Sequence, residues 1–282
     1  MISIVVEKLE RESVSIYRMA TLDLQKNPFM WVSAYLIDGL LIDTGHHHAK
    51  YEFLNCLNFD EIEYCVVSHH HEDHYGAVYD LIHEYNVPTF SNKETAFLIR
   101  NQIKIPPERN LIWGIPKPCS IRQLNQPDEI LTTKAKFKIL PSPGHCKNLI
   151  SFYHEKKKLL FSTDAFINSR QSVIFNWEDA NRMLDTLKMF LKLNFKYLFL
   201  EDGSIATMDD VHQLIHYWSY IKRKSQNLYR NEISTKEIVK QIFGKESILK
   251  KMTGGDMSRE NLIRSLLNLN PIDPRKNRKT KK

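Results

Sequence analysis

One stretch of seven residues constrains this chain more than any other: Ser68-His69-His70-His71-Glu72-Asp73-His74. A short apolar, partly β-branched run, Tyr64–Val67, precedes it, and Val78, Leu81, Ile82 and Tyr85 follow at helical spacing, so the stretch is a loop between a strand and a helix. Imidazole and carboxylate are ligands that suit zinc, iron and manganese. A loop leaving a strand can turn His69 and His71 toward one point while Asp73 and His74 reach a neighbouring one. His70 and Glu72 then alternate away and are expected to face outward. A purification tag is an uninterrupted histidine run at a terminus. This cluster holds acids, is flanked by regular structure and lies well inside the chain.

The rest of the composition permits a packed enzyme domain. Of 282 residues, 42% are hydrophobic and 26% charged, which excludes disorder of the chain as a whole. No apolar run approaches the roughly 18 residues that span a bilayer. Glu7, Lys8, Glu10, Arg11, Glu12 and Arg18 interrupt the first twenty residues, where a secretory signal would be apolar. The expectation is a soluble, cytoplasmic protein without a membrane partner. Cys56, Cys65, Cys119 and Cys146 have neither the number nor the spacing of a disulfide framework. The net charge of +7 is uneven: residues 221–282 hold 17 Lys/Arg against 6 Asp/Glu, and the remainder 23 against 27. The basic balance therefore belongs to a C-terminal appendage, whose last residues, 271–282, read as a disordered tail.

Strand patterns fall at Val14–Met19, Trp31–Ile37 and Leu40–Ile42, the last two joined by Asp38-Gly39, a two-residue hairpin signal. Further strands are expected at Phe137–Leu140, Leu149–Tyr153, Lys158–Ser162 and Tyr197–Leu200. Asn176 is placed to cap a helix carrying Met183, Leu184, Leu187, Phe190 and Leu191 on one face. A helix from about Asp209 to Arg223 follows. Beyond it, Ser234-Thr235-Lys236-Glu237 has the form of a capping box, and Leu262, Ile263, Leu266 and Leu267 mark a last helix. These patterns divide the chain into a main body, 1–223, a small helical appendage, 224–270, and the tail. The proline-rich stretch 100–135 reads as a long connection suited to a lid, with Trp113 and Ile115 either lining a pocket or packing beneath it.

The histidine loop resembles the signature of the metallo-β-lactamase-fold hydrolases, and three other stations of that superfamily follow the expected order. Leu41-Ile42-Asp43-Thr44-Gly45 is similar to its strand-end Asp-Thr-Gly. Pro143-Gly144-His145 resembles the third metal-ligand station, and Phe161-Ser162-Thr163-Asp164 the station that supplies a carboxylate bridging two metals. The likeness covers roughly residues 1–220 and points to the hydroxyacylglutathione hydrolase-like and lactonase-like branch. It implies an α/β (α+β) fold: a four-layer αβ/βα sandwich, with metals at one edge. Only nine glycines occur, well below the average of about 7%. Four of them, Gly45, Gly76, Gly144 and Gly203, lie within two residues of a proposed site residue.

The resemblance implies two divalent metal ions, zinc first, with iron or manganese as alternatives. His69, His71 and His145 would hold one, and Asp73, His74 and the bridging Asp164 the other. One station departs from the pattern: Asp202, in Leu200-Glu201-Asp202-Gly203, stands where the superfamily has a histidine. As a ligand it would shift preference toward iron or manganese; as an acidic loop residue it would leave the second site weaker. His212 and His216 are substitutes only if they do not sit on a polar helix face. His46, His47 and His48 belong either to the metal edge or to a solvated loop. Lys147 and Asn148 either polarise a substrate oxygen or lie at the surface.

With two metals the implied chemistry is hydrolysis of a small-molecule ester, thioester, lactone or phosphoester by a metal-activated hydroxide, with Asp73 orienting the nucleophile or passing a proton to the leaving group. One iron ion on the same fold would instead suit a persulfide dioxygenase. A third reading makes the basic C-terminal segment a binding module for nucleic acid or an acidic partner, against the plainer reading of a solvated helical face. The sequence leaves the oligomeric state open.

Overall fold

The computed structural model describes residues 2–102, 104–124 and 129–272. Contacts divide the chain into two compact units. The first comprises Met1–Pro141, Asn148–Asp164 and Phe195–Ile205; the second comprises Ser142–Lys147, Ala165–Asn194 and Ala206–Lys282.

The first unit is built on two sheets. Strands β1 (Ile4–Arg11), β2 (Val14–Leu22), β3 (Pro28–Ile37) and β4 (Leu40–Ile42) form an antiparallel meander. Strands β5 (Tyr64–Val66), β6 (Thr89–Ser91) and β7 (Arg122–Gln123) continue the same sheet in parallel. Parallel neighbours need crossovers, supplied here by helices α1 (Lys50–Cys56), α2 (Val78–His83), α3 (Lys93–Arg100) and α4 (Pro107–Trp113). The second sheet runs β14-β13-β11-β10-β9-β8, from Ile205–Ala206, Tyr197–Leu200, Leu159–Thr163, Ile150–His154, Lys136–Pro141 and Glu129–Leu131. Strand β1 is an addition to the strands expected from the sequence. Its charged residues mask a half-buried strand, which pairs with β2 from Ile4 opposite Thr21 to Arg11 opposite Val14.

Period-two alternation sorts the apolar residues into two cores. Val14, Ile16, Tyr35, Ile37, Ile42 and Val66 of the first sheet meet Phe137, Ile139, Phe152, Phe161 and Phe199 of the second. At the centre, the Tyr35 ring lies 5.4 Å from that of Phe161, and its hydroxyl donates to the Leu200 carbonyl. The opposite residues of the same strands, Tyr17, Met19, Ala34, Leu36 and Leu41, pack with Phe53 and Leu54 of α1, Leu81 of α2 and Trp113 of α4. The parallel strands end together at the edge carrying Asp43 and Ser68.

The second unit holds α5 (Ala180–Phe190), α6 (Met208–Arg230), α7 (Thr235–Phe243), α8 (Ile248–Met252) and α9 (Arg259–Leu266). A two-stranded sheet of β12 (Ile174–Phe175) and β15 (Met257–Ser258) lies beside them. The boundary expected at 223/224 falls inside α6, because its buried stripe, Val211, Leu214, Trp218, Ile221 and Ser225, continues at helical spacing beyond it. Helix α5 is capped by Asp179, which accepts from the amides of Asn181 and Arg182. Asn176, the expected cap, is bonded through both its amides to Asp256. The capping box expected at Ser234 is present in half: its side chain accepts from the Glu237 amide. Apart from Pro271 and Ile272, the tail lies outside the described residues.

A buried ion pair ties α1 to α2: Lys50 Nζ lies 2.7 and 3.0 Å from the two carboxylate oxygens of Asp80, with both side chains under 5% exposed. Removing one partner leaves a buried charge without its counterion, so Asp80→Ala should cost about 3–5 kcal/mol in urea denaturation. The double variant Lys50→Met/Asp80→Leu should recover most of that loss.

Candidate metal centre

Strand β4 ends at Ile42, and Asp43 takes a left-handed backbone (φ 59°) that turns the chain off the sheet. Its carboxylate is buried and accepts three hydrogen bonds. Oδ1 takes the Ser68 amide at 2.7 Å, and Oδ2 takes the Ser68 hydroxyl at 2.7 Å and His74 Nδ1 at 2.8 Å. Thr44 completes the join: its amide donates to the His74 carbonyl at 2.9 Å, and its hydroxyl accepts from the Ala77 amide at 3.2 Å. The Asp-Thr pair thus holds both ends of the histidine loop.

With its Nδ1 proton on Asp43, His74 directs Nε2 toward Asp164 Oδ1, 3.0 Å away, and Asp73 Oδ2, 3.9 Å away. His69 turns Nδ1 to the Ser68 hydroxyl at 3.0 Å and brings Nε2 to 3.7 Å from Asp164 Oδ2. Its ring centroid lies 4.6 Å from that of His71 and 4.2 Å from that of His74. Asp164 follows Thr163, a β-branched residue with φ 46°, at an irregularity in the β11–β13 pairing. Burial works against charge on His74, but Asp164, Asp43 and Asp73 outweigh it and hold the imidazole pKa well above its ordinary value. Carboxylates converging on a buried imidazole form a donor set that favours a cation. His69, His71 and Asp164, all buried, each offer a ligand atom, and these atoms lie within 4.8 Å of one another; His145, in the second unit, is likewise buried.

Two acids, Glu201 and Asp202, follow β13 where the sequence reading placed the last station. Glu201, just past β13, lies near enough to Asp164 and Asp73 for their charges to act on it. Burial, Asp164 and Asp73 together push its carboxyl pKa well above the ordinary range. Asp202 does not join this group: its Oδ1 accepts from the Ser204 amide at 2.9 Å and the Ser204 hydroxyl at 2.5 Å, and its carbonyl accepts from Arg18 Nε. Asp202 closes a turn.

Glu72, expected outside, is buried. Its Oε1 lies 2.7 Å from Arg109 Nε on α4, and the same guanidinium lies 3.9 Å from Asp73 Oδ1. Burial pushes the Glu72 carboxyl up to about 6, against the pull of Arg109. Part of the proline-rich connection is therefore docked beside the histidine loop through α4. Trp113 packs in the core, whereas Ile115 is exposed. Arg109 escaped the sequence reading because its partners lie more than thirty residues away along the chain. His70 is partly exposed, and its ring lies 4.7 Å from that of His71.

The weaker candidates separate cleanly. His48 Nε2 lies 3.2 Å from the Asn110 carbonyl, and His46 is wholly buried. Asn148 donates to Thr95 Oγ1 and accepts at its carbonyl from Asn92, a structural role, and Lys147 is exposed. His212 and His216 lie on the exposed face of α6. No helix among the described residues is long and apolar enough to cross a membrane.

Residues 31–200 match the family model of the metallo-beta-lactamase superfamily. The chain belongs to that superfamily. A metallo-hydrolase is accordingly its enzyme class. It is 22% identical to the beta-lactamase-like protein 2 homolog of Caenorhabditis elegans over 257 residues, covering 84% of this chain and 79% of that protein. It is 28% identical to a hydroxyacylglutathione hydrolase of Bartonella tribocorum over 152 residues, 54% of this chain and 52% of that protein, so it spans about half of that relative. Among solved structures, a metallo-beta-lactamase family protein from Thermus thermophilus superposes with a TM-score of 0.60 at 15% identity, covering 93% of this chain and 90% of that one. That likeness establishes the metallo-β-lactamase fold.

Burial, with His48 and His47 nearby, lowers the His46 imidazole pKa from 6.5 to about 3. A base whose folded pKa is depressed is neutral in the folded state, so it costs stability once the unfolded chain protonates, as pH falls below about 6.5. Between pH 7 and pH 5 this group alone should remove roughly 2 kcal/mol. His46→Asn should lose that much less over the same interval in urea denaturation of the two proteins.

Proposed function

We propose that the chain is a binuclear metal-dependent hydrolase acting on a small-molecule ester, thioester, lactone or phosphoester. His69, His71 and His145 would hold the first divalent ion and Asp73, His74 and Glu201 the second, with Asp164 shared between them. The observation that carries this reading is the buried donor set around Asp164, supported by membership of the superfamily. Its chemistry fits the group: neutral imidazoles oriented by second partners, and carboxylates at the far end. Zinc is the first choice for the first ion.

When bound, such ions supply Lewis acidity and lower the pKa of water from roughly 15.7 to about 7. The protein's own residues do the positioning. Asp43 keeps His74 in the tautomer that presents Nε2, and Ser68 does the same for His69. Asp73, little exposed and beside both His74 and Arg109, orients the attacking water and passes a proton to the leaving group.

Elemental mass spectrometry of protein purified without chelator should find about two metal ions per chain. His69→Ala and Asp164→Ala should each lower hydrolysis across a panel of these substrate classes by more than the roughly 10- to 100-fold that loss of an outer-shell partner costs. Circular dichroism should remain native. Glu201→Ala should leave about one ion bound, whereas Asp202→Ala should leave two. Two ions retained in Glu201→Ala would remove that residue from the second site.

A further inference from the structure

The second unit contains a carboxylate that the sequence does not announce. Glu178 Oε1 lies 2.6 Å from His145 Nδ1, and both side chains are at most 6% exposed. Its other oxygen accepts the Phe175 amide at 2.6 Å, so both carboxylate oxygens are held. The loop bearing His145 is gripped by the same neighbourhood. The Asp179 amide donates to the Gly144 carbonyl at 2.8 Å, and the Thr186 hydroxyl donates to the Pro143 carbonyl at 2.8 Å. Gly144 (φ 144°) packs so closely on α5 that a Cβ there would lie 2.6 Å from the Met183 backbone nitrogen.

The segment carrying Glu178 is in turn tied to the end of the chain. Ile174 and Phe175 pair with Ser258 and Met257, and the Asn176 amide donates to the Asp256 carbonyl at 2.8 Å. Asn261 Nδ2 reaches the Ile174 carbonyl at 3.3 Å. Ser265, on α9, accepts the Ala180 amide at 2.8 Å and donates its hydroxyl to the Glu178 carbonyl at 3.3 Å. Asn181 Nδ2 donates to the Ser265 carbonyl at 2.7 Å. Residues 174–181 are thus laced on both sides of Glu178 to residues 256–265.

We infer that Glu178 is a positioning residue for His145, and that the C-terminal helical segment serves the metal centre by fixing Glu178. This rests on the reading of His145 as a metal ligand. A carboxylate on Nδ1–H fixes the tautomer that presents Nε2, holds the ring plane and makes the imidazole a stronger donor. Asp43 does the same for His74 from the other end of the sequence. On this account the C-terminal appendage has a function independent of its charge: it is the outer support of one ligand.

The test is the zinc affinity of the full chain, by competition against a chromogenic chelator, beside the melting temperature of the metal-free protein. Glu178→Ala should bind zinc about 10- to 100-fold more weakly, with little change in metal-free melting. Glu178→Gln should recover part of the loss, because its amide oxygen still accepts from His145 while its NH2 cannot accept from Phe175; it also serves if the alanine variant does not fold. Ser265→Ala should weaken binding severalfold. Wild-type affinity in both Glu178 variants overturns the proposal, and wild-type affinity in Ser265→Ala alone overturns the role of the C-terminal segment. His69→Ala, measured in parallel, separates the two levels. If it loses zinc while the Glu178 variants keep it, only the positioning role falls; if it too keeps zinc, the metal centre itself falls.

Discussion

The Asp43 carboxylate is the interaction on which the rest of the first unit's site depends. It is 1% exposed and accepts from an amide, a hydroxyl and an imidazole, all within 2.8 Å. Hydrogen bonds to a charged group contribute about 1.5–3 kcal/mol each, and a buried carboxylate left without them bears the full cost of desolvation. The three donors come from the two ends of the histidine loop. One residue at the end of β4 therefore sets where the loop leaves β5, where it returns toward α2, and which nitrogen His74 presents. The sheet core beneath, with Tyr35 against Phe161 and Phe199, is what holds β4 and the second sheet steady enough for this to matter.

Two of the left-handed backbone positions stand where this orientation is made. Asp43 and Thr163 both take left-handed backbone angles, and each stands at the end of a strand next to or within the donor set. A β-branched residue such as Thr163 adopts φ 46° only where its surroundings enforce it. Here the enforcement is the parallel pairing of β11 with β13, which slips between Phe161 and Thr163. The slip puts the Asp164 carboxylate between His69 and His74. A relaxed strand end would keep alternating and turn that side chain elsewhere.

What was legible in the sequence was what is local. His69, Asp73 and His74 are close in sequence and close in space, and Asp43 and Asp164 sit at strand ends whose apolar runs are easily read. Three features escaped for three different reasons. Strand β1 is charged because it is only half-buried, so its pattern resembles a solvated segment. Glu201 and Asp202 are adjacent acids in the turn after β13, and the sequence alone does not tell which of them stands near Asp164. Arg109 and Glu178 act on residues more than thirty positions away, and nothing in their own surroundings marks them. The C-terminal segment was read through its charge, whereas residues 174–181 are joined to it by hydrogen bonds with Asp256, Asn261 and Ser265. Net charge is visible in a composition; a hydroxyl aimed at a carbonyl is not.

The proposed ligand set is electrostatically lopsided, and Glu201 makes it more so. Three neutral imidazoles with one shared carboxylate suit a borderline-soft ion such as zinc, while Asp73, Asp164 and Glu201 around a single imidazole present harder oxygen donors. Without a metal that second group favours bound protons: the surrounding carboxylates hold the His74 pKa well above the ordinary imidazole range, and burial with Asp164 and Asp73 pushes the Glu201 carboxyl up. Protons and a divalent cation compete for the same oxygens, so filling the second position must release them. The first position, whose imidazoles are oriented by Ser68 and, in the second unit, by Glu178, has less of that work to do. Occupancy of the two positions should therefore separate with acidity, the carboxylate-rich one emptying first as pH falls.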